Sequence, residues 1–213
     1  MSETRIQEYR GKALVVRFDS GKCIHSRHCV LEHPHVFQAN VEGPWINPDN
    51  APVETVVQAA HDCPSGAITY QRLDGAAQEA PPTINTARIR ENGPIAFRAD
   101  LLIDGRAASI RATLCRCGTS QNKPFCDGSH AAAGFTATGE PATQASAPLN
   151  SRGGLLNVAL LTNGPLKISG NLEVCTGTGR TISRSQETYL CRCGASGNKP
   201  YCDGTHKKIG FKG

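Results

Sequence analysis

Methionine and tryptophan each occur once in the 213 residues, and aromatic side chains make up only 5% of the chain. So few large rings exclude a large enzyme barrel and point to modest cores. No apolar run approaches the roughly 18 residues that a membrane helix needs. The first ten residues, Met1 to Arg10, are polar and mixed in charge, with neither a secretory apolar region nor an anchor. The expected location is cytoplasmic. Paired carboxylates, a nucleophile beside a base, and a nucleotide-binding glycine motif are also missing, so an enzyme is not expected. The single "GTGR" at Gly177–Arg180 reads as a turn.

Charge is modest and uneven. The net is +5, yet residues 1–80 carry seven basic against ten acidic groups and residues 141–213 carry nine against three. A nucleic-acid face needs a basic stripe interleaved with stacking rings. The basic third has only Tyr189, Tyr201 and Phe211 among scattered lysines and arginines, so nucleic acid is not an expected partner. The basic segment would instead offset anionic metal sites and face an acidic protein partner.

What the chain does have is ten cysteines and 22 glycines. In a reducing compartment, clustered thiols mean metal ligation or redox chemistry rather than disulfides. Eight of the decisive residues belong to an internal repeat. "LCRCGTSQNKPFCDGSHAAAGF" from Leu114 matches "LCRCGASGNKPYCDGTHKKIGF" from Leu190, displaced by 76 residues. An earlier match, "NGPIAF" from Asn92 with "NGPLKI" from Asn163, is displaced by 71, so the later copy carries five extra residues near Cys175–Arg180. Short strands lead into each cysteine loop: 95–99, 101–103 and 109–114 in the first copy; 166–169, 172–175 and 187–190 in the second. Leu155–Thr162 and Ile84–Ile89 read as strands feeding each copy. Low-complexity stretches at 73–83 and 137–154 divide the chain into units 1–74, 84–136 and 155–213, with 137–154 a linker.

Each copy contains C-x-C-x8-C-x3-H. The ligand candidates are Cys115, Cys117, Cys126 and His130, then Cys191, Cys193, Cys202 and His206. Three thiolates and one imidazole satisfy tetrahedral zinc by composition, although zinc pairs are usually separated by two to four residues and only Arg116 or Arg192 intervenes here. Thiolate-rich sets also hold iron–sulfur clusters, so composition leaves both open. Cys175 belongs to no set and reads as a buried thiol.

These two blocks resemble the signature of the CDGSH iron–sulfur (NEET-type) family, at every ligand position and through the Lys-Pro and Asp-Gly-Ser/Thr between them. The resemblance implies a 2Fe–2S cluster in each copy. Cys115 with Cys117, and Cys191 with Cys193, would hold the inner irons; Cys126 with His130, and Cys202 with His206, the outer ones. It further implies that the two copies fold as an internal pseudo-dimer within a monomer. Lys123 and Lys199, three residues before a ligand cysteine, are expected to hydrogen-bond the histidine or a sulfide. Ser129 and Thr205 are the expected caps of short helices after each loop. Imidazole binds metal only when neutral, so acid is expected to compete with iron at His130 and His206.

The N-terminal unit has its own three cysteines. "CIHSRHC" at Cys23–Cys29 followed by "CPSGAI" from Cys63 echoes the bacterial ferredoxin run, with Ser26 where the middle cysteine would stand. Residues 13–19 and 67–73 read as strands and 52–63 as an amphipathic helix. With "VF" at Val36–Phe37 and "PWI" at Pro44–Ile46, this segment resembles the divergent single-cluster ferredoxins. Three thiolates imply a 3Fe–4S cluster, or 4Fe–4S if Ser26, His25, His28 or solvent completes the set. The fold expected overall is α+β: a small ferredoxin-like βαβ unit, then a β-rich tandem pair. The expected role is electron transfer through three clusters with reductase or ferredoxin-like partners; the alternative is a cluster carrier or a redox or pH sensor that releases clusters to apo acceptors from the His-ligated sites.

Overall fold

In the computed structural model, which describes residues 5–213, the chain divides into two units, one ending at Ala80 and the other spanning Pro81–Gly213. Both mix strands with short helices, and the architecture is α+β with little helix and extensive sheet.

The first unit grows from the apolar alternation around Val15. Strands β1 (Ile6–Arg10), β2 (Leu14–Asp19) and β3 (Ile68–Arg72) form an antiparallel sheet in the order β1-β2-β3. Between β2 and β3 come the five-residue helix α1 (His28–Glu32) and the longer α2 (Val53–Asp62), which starts after Pro52. Proline suits that position because it needs no amide partner there. Helix α2 buries Val56, Val57, Ala59 and Ala60, and its core face joins Leu14, Val16, Phe37 and Ile46. The expected βαβ unit is met only in chain order. β2 and β3 pair antiparallel, Val16 opposite Tyr70, whereas the strands of a βαβ crossover run parallel. Strand β1 had no sequence signal, since IQEYR is mostly exposed and only Tyr9 is half-buried against the core; its pairing with β2 defines it.

The second unit is an eight-stranded sheet to which both repeat copies contribute. The first copy supplies β4 (Thr86–Ile89), β5 (Ile95–Arg98), β6 (Asp100–Ile103), β7 (Arg106–Ala107) and β8 (Arg111–Leu114). The second supplies β9 (Leu155–Leu160), β10 (Leu166–Cys175) and β11 (Thr181–Leu190). Where the first copy breaks between β5 and β6, the second runs on through a bulge between Ser169 and Leu172. Gly170 permits it: φ is +120° and a Cβ there would lie 2.5 Å from the Leu155 carbonyl oxygen. The five extra residues lie in the β10–β11 turn, closed by the Thr176 amide donating to the Arg180 carbonyl at 2.9 Å.

The copies exchange edges. β6 pairs parallel with β9, Leu102 opposite Asn157. β10 pairs parallel with β4, Glu173 opposite Thr86. The 71-residue displacement that relates the copies turns the first pair into the second, so each copy completes its sheet with a strand of the other. The core follows: Ile89, Ile95, Phe97 and Leu114 pack with Leu156, Leu166, Ile168 and Leu190 in one cluster. Each such side chain contributes roughly 1.5–3 kcal/mol by leaving water, and both copies supply them to the one cluster. Residues 137–154 have no regular structure yet are pinned to the sheet, as where the Gln144 amide donates to the Ile182 carbonyl at 2.8 Å. Among the described residues no helix is long and apolar enough to cross a membrane.

Candidate metal centres

The two CDGSH-like loops leave β8 and β11 and return at once to the same sheet. The Cys115 amide donates to the Pro124 carbonyl and the Cys126 amide to the Thr113 carbonyl; Cys191 and Cys202 do the same to Pro200 and Tyr189. Both Lys-Pro bonds, 123–124 and 199–200, are cis. The buried Ser120 hydroxyl donates to the Phe125 carbonyl at 2.7 Å and accepts from the Asn122 amide at 3.0 Å; Ser196 repeats this with Tyr201 and Asn198. Each loop is therefore fixed by its own backbone.

The ligand atoms meet in pairs. Cys115 and Cys117 Sγ are 3.5 Å apart, and Cys126 Sγ lies 3.4 Å from His130 Nδ1. In the second copy Cys191 and Cys193 Sγ are 3.8 Å apart, and Cys202 Sγ is 3.3 Å from His206 Nδ1. Thiolates on one tetrahedral ion with bonds of about 2.3 Å sit roughly 3.8 Å apart, so each pair has the span of two ligands on a single ion. The four do not. Among the described residues the only trio of His, Cys, Asp or Glu ligand atoms within 4.8 Å of one another is Glu32, His33 and Asp62. The four donors of each copy are thus too widely spread for one zinc ion and fit a group with two metal atoms. The Cys-Cys pair lies deep, with Cys115 and Cys191 buried, while His130 and His206 are half-buried.

Electrostatics within the first pair are asymmetric. Cys117 is pulled down to about 5 by the hydrogen bond from Cys115 and by the Thr119 hydroxyl, while the same contact, with burial, pushes Cys115 up. Burial also raises Cys126 and Cys193. Metal binding must displace these protons, which couples loading to pH.

One expectation about the loops changes. Ser129 and Thr205 are not caps but the first residues of α3 (Ser129–Ala132) and α4 (Thr205–Lys208); the caps are left-handed Gly128 and Gly204, without side chains. Asp127 and Asp203 do the capping instead: Asp127 accepts from the Ser129 and Gln121 amides, Asp203 from the Thr205 and Gly197 amides. Those two amides hold the Asp203 carboxyl below the usual carboxylate range. Lys123 and Lys199 donate to the Ser120 and Ser196 carbonyls at 2.7 and 2.6 Å, closing their own loops.

The arginine inside each C-R-C was given no role by the spacing argument, yet it is buried, 1% exposed at Arg116 and 3% at Arg192. Arg116 donates to the carbonyls of Arg90, Gly93, Ala137 and Thr138, and its guanidinium lies over the Phe135 ring at 5.4 Å. Arg192 donates to Leu161, Gly164 and Gly213 and lies over Phe211 at 5.4 Å. The sequence signal for Arg, Ser and Asp was identity between copies at positions that bind no metal.

The three N-terminal cysteines also converge. Cys23, Cys29 and Cys63 line one cavity of about 110 Å³, with Phe18, Trp45 and Ile68 as apolar wall and His25, Ser26, Arg27 and His28 at its exposed side. β2 leads into Cys23, α1 carries Cys29, and Cys63 follows α2. His25 and Arg27 hold positive φ, +54° and +67°, so the loop turns sharply on either side of Ser26. His28 Nδ1 is 2.9 Å from Glu32 Oε1, and Cys63 Sγ is 3.6 Å from the Ser65 hydroxyl. Burial pushes the Cys23 and Cys29 thiols up. This donor set also fits a multi-iron group: three thiols share a cavity without all lying within a single ion's reach. Cys175 is 3% exposed, against the Glu173 carbonyl and the Thr181 hydroxyl, and stays outside every site.

Twin Cys3His loops on a shared sheet, together with a separate three-cysteine cavity, define a thiolate metal protein with more than one centre. Comparison with known families agrees. The model described as "Iron-binding zinc finger CDGSH type" matches residues 85–131 and 163–207, and that described as "Divergent 4Fe-4S mono-cluster" matches residues 9–73. The chain belongs to the CDGSH iron-binding family, carries an N-terminal domain of the divergent mono-cluster type, and is an iron–sulfur protein. "Uncharacterized protein YjdI" of Escherichia coli (strain K12) is 40% identical over 63 residues, 30% of this chain and 82% of its own length; the same protein of strain O157:H7 gives the same values. No solved structure matches the chain.

Proposed function

We propose that this chain is an electron-transfer protein carrying two 2Fe–2S clusters, one on Cys115, Cys117, Cys126 and His130 and one on Cys191, Cys193, Cys202 and His206. A third cluster, 3Fe–4S or 4Fe–4S, is held by Cys23, Cys29 and Cys63. The observation that carries this is the pairing of the repeat ligands two by two, with each set too wide for one ion. When bound, such clusters supply one-electron couples, with histidine ligation raising the potential above an all-thiolate site.

The chain's own residues do the rest. Cys115 and Cys191 hold the buried end of each site away from water. His130 and His206 present the other end through Nδ1 at half-buried positions, which gives a partner protein a short approach. The Ser120 and Ser196 hydroxyls fix the loops, so loading or electron uptake requires little rearrangement. The reciprocal register of β6 with β9 and β10 with β4 supports reading the two copies as an internal pseudo-dimer in a monomer. We read the protein as a cytoplasmic, non-enzymatic relay serving a reductase or ferredoxin-like partner.

A second reading, a cluster carrier, is favoured by the half-buried outer ligands Cys202 and His206. Iron and acid-labile sulfide counts on anaerobically purified protein, with electron paramagnetic resonance of both redox states, test the primary reading. Zinc alone in both repeat sites would overturn it. Incubation with an apo-ferredoxin then separates the roles: a relay passes electrons only, a carrier passes clusters.

A further inference from the structure

The two repeat loops are copies, so the few places where they differ are where the two sites become unequal. From the first cysteine to the histidine they differ at four positions: Thr119 against Ala195, Gln121 against Gly197, Phe125 against Tyr201 and Ser129 against Thr205. The first of these touches a ligand sulfur. Thr119 Oγ1 lies 3.1 Å from Cys117 Sγ, and the Gln121 side-chain amide donates to the Thr119 carbonyl at 3.2 Å. In the second loop neither group exists, since Ala195 ends in a methyl and Gly197 has no side chain. Tyr201 turns its hydroxyl to Ser183 rather than to a sulfur. The Gly204 amide reaches Cys202 Sγ at 3.4 Å, but it is a main-chain donor, and the first loop has Gly128 at the same place.

A metal-bound thiolate carries no proton, so there the Thr119 hydroxyl is the donor. Hydrogen bonds to the sulfurs set cluster potential, because they stabilise the more negative, reduced state more than the oxidised one. The opposing difference is at the outer end, where Lys207 and Lys208 follow His206 while Ala131 and Ala132 follow His130. Both lysines are exposed, so water and salt screen them, whereas Thr119 acts by direct contact. The sites are also neighbours. A Cβ on Gly118 would stand 2.7 Å from the Cys193 carbonyl oxygen, and one on Gly194 2.3 Å from that of Cys117. The two C-R-C-G segments therefore touch main chain to main chain, which gives an electron a short path between them.

We propose that Thr119 makes the two repeat sites unequal: its hydroxyl, donated to Cys117, makes the Cys115, Cys117, Cys126, His130 site the one that is reduced first and holds the electron. This rests on the reading above that each copy holds a 2Fe–2S cluster. One electron delivered to the Cys191, Cys193, Cys202, His206 site passes to the first site, which is reduced as the second is reoxidised. No bond to the protein forms or breaks. Thr119 acts through Cys117 and is a positioning residue. The duplicated motif alone predicts two equivalent sites, and the contact at Cys117 is what separates them.

The test is a dithionite titration of the full, loaded chain, read by electron paramagnetic resonance. Two one-electron midpoints are expected from the repeat sites of the wild type. Thr119→Val keeps the shape and removes the donor. It is expected to lower the reduction equilibrium of the first site about fivefold, equivalent to about 40 mV for one electron, and to bring the midpoints together. Thr119→Ser keeps the hydroxyl and should keep the wild-type spread. Ala195→Thr should raise the second site and narrow the spread from the other side. In about 1 M salt, where charges are screened beyond roughly 3 Å, the effect of Thr119→Val should persist. Unmoved midpoints, a spread that widens in Thr119→Val, equal shifts from the Val and Ser variants, or an effect that salt abolishes would overturn the inference. If Thr119→Val loses its first-site cluster, Ala195→Thr decides: a raised second midpoint supports the inference, and an unmoved one overturns it. A wild type with no 2Fe–2S signal at the repeat sites would instead overturn the cluster reading itself, a distinguishable result.

Discussion

The repeat sites and the N-terminal site hold their cysteines in opposite ways. In each repeat loop the donors are already paired at 3.3–3.8 Å, held by hydroxyls, carboxylates and a buried arginine repeated residue for residue. In the N-terminal unit three thiols surround a cavity, and its exposed side is a tight turn of His25, Ser26 and Arg27. In the repeat sites a short loop closes by backbone hydrogen bonds on the strand it leaves. The N-terminal site draws its ligands from segments 40 residues apart in sequence, Cys23 to Cys63, and relies on the packing of α2 for its assembly.

The largest effect expected from that contrast is in metal content. Cys115→Ser combined with Cys191→Ser should empty both repeat sites while iron and a paramagnetic signal persist at the N-terminal site. A double variant that retains no iron would remove the third cluster from the account. Next in size is the contact between the loops. Gly194→Ala sets a Cβ 2.3 Å from a carbonyl oxygen at φ +82°, and should cost roughly 3 kcal/mol or more. Gly105→Ala, equally left-handed but in open space, should cost only about 1 kcal/mol. Similar thermal midpoints for the two variants would mean that the loops do not meet.

A smaller effect concerns the strand exchange. Glu173, 1% exposed on β10, accepts from Arg152 at 2.5 Å and from Thr181 at 3.0 Å, and Arg152 chiefly holds its carboxyl below the ordinary value. A depressed folded value means that this stabilisation is complete above the unfolded carboxyl range and is lost as pH falls through the folded one. Glu173→Gln should therefore cost about 2 kcal/mol near pH 7. The gap from wild type should narrow below about pH 4 in denaturant titrations, and a gap independent of pH would contradict it. Smallest is a rate: His206→Cys should slow the bleaching of the second site in acid, because a thiolate replaces the imidazole that protons compete for. Bleaching as fast as wild type would rule out histidine as the labile ligand.

Much of the site was legible because ligand chemistry is local. C-x-C-x8-C-x3-H, written twice, named eight candidate ligands, and the structure brings them together two by two. The strands around them were legible too, from alternation such as Ile95–Phe97 and Leu166–Ile168. The capping role of Asp127 was hidden because Ser129 is the better cap by type, while backbone geometry placed left-handed Gly128 in the cap position. Strand β1 was hidden because an edge strand with a single half-buried side chain, Tyr9, shows no alternation to read.

By itself the sequence determined which atoms can bind metal, since donor type and spacing along a loop are set by covalent order. It also determined that the last 133 residues contain two equivalent units. Tertiary structure alone decided that those units share one sheet and one core, with Leu102 beside Asn157 and Glu173 beside Thr86. It alone buried Arg116 against the carbonyls of Arg90 and Gly93, and Arg192 against those of Leu161 and Gly164. Such contacts join residues dozens of positions apart, and they arise from the burial of apolar faces of both copies in one core.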